Sequence, residues 1–525
     1  MKFLTTILLI PLFFILSGSS AADELAYDLI IKNGRVLDGS GNPWIQMDIA
    51  INEDRIAETG DLSNQQADEI IDAEGLFVAP GFIDTHSHAS SGLRDEELSA
   101  ARPLLAQGIT SVFINPDGGG AVDLSEQREE LLEHDIGVNV AQFVPHTEVR
   151  KEIMDEDNRA PEPGELAEMQ ELVREGMQLG AFGLSSGPFY PPGSYSDTEE
   201  LIALAKIASE YGGAYQSHIR DESDYNIGVV ASVDEVIEIA ERADLPGIVT
   251  HIKTLGPNVW GYSDALLHRI DRARDRGLEI FADQYPYNAS ATGLSAALVP
   301  SDMMDGGRDR FLERLEDPEK REEIYESMAE NLERRGGPHR IMMRRVRYDT
   351  SLEGKTLEDI AENRDISAVE AAIELLEEGS PGIVSFNMHD RDVHRLMRQP
   401  WTMTSSDGGI IEKGEGVPHP RNYGAFPRKI KKFSVEEEVV DLAFAIRSMT
   451  HMPAQVYGVE DRGLIREDNY ADIVIFDLEE LDHPGTFEDP HHLSEGMIYV
   501  LVNGKPAIWD EEFTGDRIGR ILKNK

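Results

Sequence analysis

Two histidines one residue apart, His86 and His88, close a short apolar run that opens on a Pro80-Gly81 turn. Successive side chains of an extended strand point to opposite faces, so Asp84, His86 and His88 share one face. Two imidazoles side by side at a strand end suit a divalent metal such as zinc. The competing reading is a pair of ordinary polar residues. Polar groups recur where other apolar runs stop: Asn115-Pro116-Asp117-Gly118-Gly119, then His146 through Arg150, then Gln216-Ser217-His218. Thr250-His251-Ile252-Lys253, Asp283-Gln284-Tyr285 and Ser406-Asp407-Gly408 repeat the pattern. Each alone has a bland explanation. The set, at matching ends of nearly every apolar run, is hard to obtain by accident. On a strand continuing past His251, Lys253 faces the same side.

Positioning these groups falls to eight candidate strands, near residues 82–88, 109–115, 138–144, 181–185, 213–218, 247–251, 279–285 and 401–405. Helical segments fall between many of them. Ser196, Ser232, Ser367 and Ser434, each with Glu three residues on, have the form of capping boxes. Strands alternating with helices in eight units predict a (β/α)8 TIM-type barrel, whose active site gathers at the C-terminal ends of its strands. The gap between the seventh and eighth strands exceeds one helix. Its highly charged helical pattern over 300–385 predicts an inserted, lid-like subdomain with a solvated face. Outside the barrel, residues 27–37 read as a hairpin turning at Asn33-Gly34, and 499–505 as another turning at Asn503-Gly504. Residues 471–477 read as a strand. Both chain ends, 23–75 and 456–525, are therefore expected to form one small β-sandwich around a barrel spanning 76–455.

The chain has 525 residues, enough for a large barrel and a smaller domain. Its formal net charge is −49, which argues against a nucleic-acid binder, since that would need a basic face. An anionic substrate would then require a local cationic pocket. There is no cysteine, hence no disulfide and no thiolate metal ligand. Residues 1–22 have the form of a secretory signal: Lys2, an apolar stretch over 4–16, then small residues with cleavage after Ala21 or Ala22. That stretch is shorter than the ~20 residues of a spanning helix. The expectation is an exported, periplasmic or secreted bacterial protein with no stable membrane span after cleavage.

The run Val78-Ala79-Pro80-Gly81-Phe82-Ile83-Asp84-Thr85-His86-Ser87-His88 resembles the first-strand signature of the amidohydrolase superfamily, and more narrowly its D-aminoacylase (N-acyl-D-amino-acid deacylase) branch. Gly183-Leu184-Ser185-Ser186-Gly187, Tyr215 through Glu222, Asp283-x-Tyr285-Pro286-Tyr287 and Ser406-Asp407-Gly408 are similar to its later strand motifs. His419-Pro420-Arg421 and Asp461-Arg462-Gly463 also fit. The resemblance implies metal-site roles for His86, His88, His218 and His251, and makes Asp407 the catalytic acid/base. It places Lys253 and Tyr285 against a substrate carboxylate, with Ala291 where the branch has a serine. His146 and Arg150 are further pocket candidates, with structural roles as the alternative. The better-known members have a metal-ligating cysteine after the second strand. Asp117 stands there in this chain, a harder ligand that can bridge two ions and shift preference from zinc toward manganese or cobalt. The expectation is that Asp117, His218 and His251 form the tighter site, with His86 and His88 forming or completing a second.

The activity these features imply is metal-dependent hydrolysis of N-acyl-D-amino acids to a carboxylic acid and a D-amino acid. The partner is a small molecule, and zinc is the expected metal, as one or two ions. Two alternatives stay open: another C–N hydrolase of the superfamily, such as a cyclic-amide hydrolase or a dipeptidase, and a non-catalytic barrel that only binds.

Overall fold

In the computed structural model the described residues are 27–525, so the expected signal segment, 1–22, lies outside them. Eight parallel strands form the barrel: β1 Phe82–Asp84, β2 Ile109–Ile114, β3 Asn139–Gln142, β4 Gly183–Ser186, β5 Ala214–Ser217, β6 Gly247–Val249, β7 Ile280–Gln284 and β8 Thr402–Thr404. β1 to β3 pair in one arc. Past Phe143 the third strand resumes as Val144–Pro145 and pairs with β4, and the second arc runs on to β8. Closure is made at the strand ends. The Asp407 amide donates to the His86 carbonyl at 2.9 Å, and the His88 amide donates to the Gly408 carbonyl at 2.8 Å. The Ser406 amide donates to the Asp84 carboxylate at 2.8 Å. The strands are almost wholly buried, and their apolar side chains alternate with buried polar ones, as in β2 (Ile-Thr-Ser-Val-Phe-Ile) and β5 (Ala-Tyr-Gln-Ser).

The interior is filled at the end away from the polar strand termini. Phe113, Phe143, Phe182, Ile248 and Met403 pack there with Tyr457. Phe113 lies 5.4 Å from Phe143 and 4.6 Å from Tyr457, ring centre to ring centre. This plug makes the barrel a packed core open at one end only.

The small domain is one nine-stranded sheet drawing strands from both chain ends. Its strand Phe77–Pro80 runs directly into β1, so the sheet and the barrel meet at Gly81. A β-carbon there would lie 2.2 Å from the Thr110 hydroxyl, which demands glycine. The expected hairpin at Asn33-Gly34 is not a turn. Tyr27–Val36 is a single strand with a register shift there, absorbed by Asn33 at φ 62°. A side chain on Gly34 would strike Val78, so that glycine serves a close approach between strands. Asn503-Gly504 does turn a hairpin, between Met497–Val502 and Lys505–Trp509.

Between β7 and β8 lies the inserted segment. Three antiparallel strands, Ser290–Gly293, Ile341–Arg345 and Gly382–Ser385, carry five α-helices. Phe311, Ile324, Met328, Leu332, Met343 and Ile373 give it a buried cluster of its own. Its charged residues lie outside that cluster, as a solvated face requires. No helix of the described residues is long and apolar enough to cross a membrane.

Candidate metal centre and active-site cavity

A cavity of about 870 Å³ opens at the C-terminal ends of the strands. At its floor stands the carboxylate of Asp117. One oxygen lies 3.3 Å from His86 Nε2, 3.5 Å from His251 Nε2 and 3.8 Å from His218 Nδ1. The other lies 3.4 Å from His88 Nε2. Four imidazoles from β1, β5 and β6 thus converge on an acid from the end of β2. The backbone enforces this convergence. Asp117, His251 and Asp407 hold φ values of 56°, 36° and 48°, in the left-handed region that residues with a β-carbon seldom occupy. Such strain persists where surrounding structure imposes it, and it concentrates at functional sites.

The buried donors and acceptors here lack partners. Both ring nitrogens of His86 and of His218, and one oxygen of Asp117, make no hydrogen bond. Buried polar atoms are otherwise nearly always satisfied, so orphans facing one point call for a ligand. Three overlapping groups have ligand atoms close enough to share an ion: His86–Asp117–His251, His86–His88–Asp407 and His218–Glu222–His251. Imidazole and carboxylate together fit zinc and its neighbours. Without an ion, protons hold the charge balance. Burial disfavours a charged His251, yet the facing carboxylates outweigh it and raise it to about 10; His88, with its side chain 44% exposed, is raised to about 9 by Asp117 and Asp407. His218, more dominated by burial, is lowered to about 4.

Asp407 approaches the same point from β8, 3.2 Å from His88 Nε2 and 3.8 Å from His86 Nε2. Its other oxygen receives Arg421 Nη1 at 2.7 Å. Burial opposes ionisation, but this guanidinium and the histidines hold the Asp407 carboxyl far below the usual carboxylate range. His419 fixes Arg421 in turn: its Nδ1 accepts from the Arg421 amide at 3.0 Å, and its Nε2 meets the Ala289 carbonyl at 3.1 Å.

Lys253 lines the cavity but does not stand free. Its ammonium donates to Glu222 and lies 2.7 Å from His251 Nδ1. Glu222 also faces His251 Nδ1 at 3.1 Å and His218 Nε2 at 3.7 Å. A carboxylate behind two imidazoles orients them and raises their basicity. Tyr285 is buried beside this group, with Lys253 Nζ 5.6 Å and Arg421 Cζ 4.7 Å from its ring centre. Ala291 and Thr292 also line the wall.

His146 and Arg150 are not brought to the cavity. Both are fully buried and clamp Glu200, His146 Nε2 at 2.9 Å and Arg150 through a shorter contact. The helix His146–Met154 begins as soon as the third strand ends, so its first turn carries these side chains behind the wall, leaving Thr147 and Glu148 on the cavity. They serve packing, not substrate.

Sequence reasoning had not assigned roles to Glu222 and Arg421, although both stand inside the motifs it used. Glu222 lies four residues after His218. Arg421 lies two after His419. Tyr190 is a third: its ring packs 4.7 Å from His218 and its hydroxyl meets Thr292 Oγ1 at 3.2 Å.

A barrel with histidines and carboxylates converging at its strand ends defines a metal-centre hydrolase scaffold. The model of the amidohydrolase family matches residues 69–508, and the chain belongs to that family. The chain is 31% identical to a D-aminoacylase of Alcaligenes xylosoxydans xylosoxydans, over 96% of this chain and 99% of the relative. It is 32% identical to an N-acyl-D-glutamate deacylase of the same organism, over 94% and 96%. The crystal structure of N-acyl-D-glutamate deacylase from Bordetella bronchiseptica, complexed with zinc and a phosphonate mimic of the tetrahedral intermediate, superposes with a TM-score of 0.79 at 30% identity, covering 95% of this chain and 99% of that one.

Proposed function

We propose that this protein hydrolyses N-acyl-D-amino acids to a carboxylic acid and a D-amino acid, using one or two divalent ions. Carrying the proposal is the convergence of His86, His88, His218 and His251 on Asp117, with Asp407 facing the same point, in a chain similar along its whole length to deacylases of this kind. Zinc is the expected metal, with manganese or cobalt favoured by the carboxylate Asp117. When bound, such an ion supplies Lewis acidity to an amide carbonyl and to a water molecule. Asp407 is placed to take a proton from the attacking water as the new C–O bond forms. It then gives that proton to the nitrogen as the C–N bond breaks. Asp117, His218 and His251 form the tighter site in this proposal, and His86 and His88 form or complete a second.

Arg421, Tyr285 and Lys253 stand together on one wall, where a guanidinium, a phenol and an ammonium suit the substrate's α-carboxylate. Residues 1–22 support export to the periplasm or medium. The test is a panel of paired N-acetyl-D- and N-acetyl-L-amino acids with metal-loaded protein, repeated after chelation. We expect turnover of D-substrates that stops on metal removal and returns with zinc. Full activity in metal-free protein, or turnover of L-substrates only, would defeat this assignment.

A further inference from the structure

The motif Asp283-x-Tyr285-Pro286-Tyr287 leaves its first residue without a role. Asp283, on β7, is fully buried, lies outside the cavity lining and pairs with no cation of the described residues. One of its oxygens accepts two hydrogen bonds, from the His251 amide at 2.8 Å and from the Ser405 hydroxyl at 2.7 Å. The other oxygen is buried with no partner. A carboxylate out of water and without a cation is costly to hold, and an apolar side chain of similar volume is often as stable. The two bonds that it does make therefore mark its use.

Successive amides of an extended strand point to opposite edges. Past β6 this alternation breaks. The Thr250 amide donates to the Ser217 carbonyl of β5 at 3.0 Å, but the next two amides both turn to β7. His251 donates to the Asp283 carboxylate, and Ile252 donates to the Asp283 carbonyl at 2.8 Å. One residue thus catches two successive donors, which a regular strand cannot offer, and His251 takes up the difference at φ 36°. In this conformation its Nε2 lies 3.5 Å from Asp117.

The same device recurs past β8. The Ser405 amide donates to the Gln284 carbonyl of β7 at 3.2 Å, while the Ser406 and Asp407 amides both turn to β1, at the Asp84 carboxylate and the His86 carbonyl. Asp407 holds φ 48° in consequence. Ser405, two residues before Asp407, is pinned by its hydroxyl to the same Asp283 oxygen that holds His251.

We infer that Asp283 is a positioning residue for the reaction: from one shared oxygen it sets the His251 imidazole through its amide and the Asp407 carboxylate through Ser405. This rests on the metal-dependent hydrolase reading above and adds to it a residue that does not reach the cavity. Misplacing a reacting group by about 1 Å costs on the order of 10²-fold in rate.

The test uses the full-length protein, loaded with zinc for kinetics on the N-acetyl-D-amino acid of the panel above that the parent turns over fastest. Cobalt-loaded protein supplies a visible spectrum, whose ligand-field bands follow coordination geometry. Asp283→Ala should lower kcat per bound ion by about 100-fold with KM within about threefold, and should shift the cobalt bands. Asp283→Asn keeps an oxygen that accepts both donors, so it should recover kcat to within about tenfold of the parent and restore the bands. Ser405→Ala removes only the tie to Asp407 and should lower kcat about tenfold with normal metal content; it carries the kinetic test if Asp283→Ala does not fold. Parent kcat per bound ion in Ser405→Ala and in a folded Asp283→Ala, with only the melting temperature lowered, would make Asp283 structural and overturn the inference. A loss confined to KM would overturn it too, as would an asparagine variant no better than alanine. If the parent turns over nothing in the panel, the deacylase assignment fails, and the cobalt spectra decide alone: bands in the Asp283 variants that match the parent's would overturn this inference, and bands shifted in alanine but restored in asparagine would uphold it.

Discussion

In the proposed metal site Asp117 takes the place of a thiolate ligand, and its surroundings specify how its loss would read out. Four imidazoles lie within 3.8 Å of its two oxygens, so its removal leaves them facing each other without a counter-charge. Asp117→Ala should lose both bound metal and activity, whereas Asp117→Cys should recover some zinc; metal analysis of the purified variants reads both, and a normal metal content in the alanine variant would contradict the assignment. Asp407 sits beside the same centre but is held by Arg421. Asp407→Asn should therefore cut kcat by about 10²–10⁴-fold with metal content near normal, since it removes proton transfer more than ligation. Wild-type turnover in that variant would make Asp407 structural. The histidines raised to about 9 and about 10 supply a third expectation. Protons occupy them at neutral pH when metal is absent, so zinc uptake at pH 7.5 should release protons to the buffer. Calorimetry in two buffers of different ionisation enthalpy measures this, and a buffer-independent heat would show that the rings are already neutral.

At the level of elements, β8 carries the heaviest duty. It closes the barrel on β1, aims Asp407 and is braced from behind by a buried lysine. Lys429 Nζ donates to Thr404 Oγ1 at 2.7 Å and to Ser448 Oγ at 2.9 Å, with no carboxylate nearby. Desolvation lowers it to about 7. Its unfolded value is about 10.4. Between those limits the unfolded chain holds a proton that the folded chain lacks, so this group makes the protein more stable as pH rises from 7 toward 10. Lys429→Met removes that dependence. Relative to the parent, the variant should be at its best near pH 7 and lose ground by pH 9.5, read as the difference in urea midpoints. An unchanged difference across that range would mean that Lys429 stays charged in the fold.

For the whole molecule, charge is the dominant feature. A formal −49 on 525 residues is self-repulsive, and the repulsion is screened within about 10 Å at 0.1 M salt. The melting temperature should rise between 10 mM and 1 M sodium chloride, followed by differential scanning calorimetry. A flat or falling midpoint would show that the surface ion pairs, such as Arg242 with Glu199 and Arg159 with Glu165, already offset the excess. The same excess makes Arg421 and Lys253 of the cavity wall stand out as a local reversal suited to a substrate carboxylate.

Much of this was determined by the sequence alone. The eight barrel strands, the joining of both chain ends and the convergence of His86, His88, His218, His251, Asp117 and Asp407 were legible because barrel topology places every strand's C-terminal end at one mouth. Local signals carried less. Ser367 does cap its helix, accepting from the Glu370 amide, but Asp197 takes the cap expected of Ser196, and Ser232 lies inside Val229–Ala243. Neighbouring residues compete for a cap, and the backbone of the next turn decides. Asn33-Gly34 and Asn503-Gly504 are the same dipeptide, yet only the second turns a hairpin, because only there does the following run fold back on its predecessor instead of pairing with Phe77–Pro80. Tertiary structure alone decided that His146 and Arg150 turn away to Glu200, that Glu222 braces two imidazoles, and that Asp283 catches the His251 amide and the Ser405 hydroxyl. Strand order tells which ends meet. Which side chain faces inward at a helix's first turn, and which donors a buried carboxylate catches, depends on dihedral angles and on contacts between residues far apart in the chain, and these exist only once it has folded.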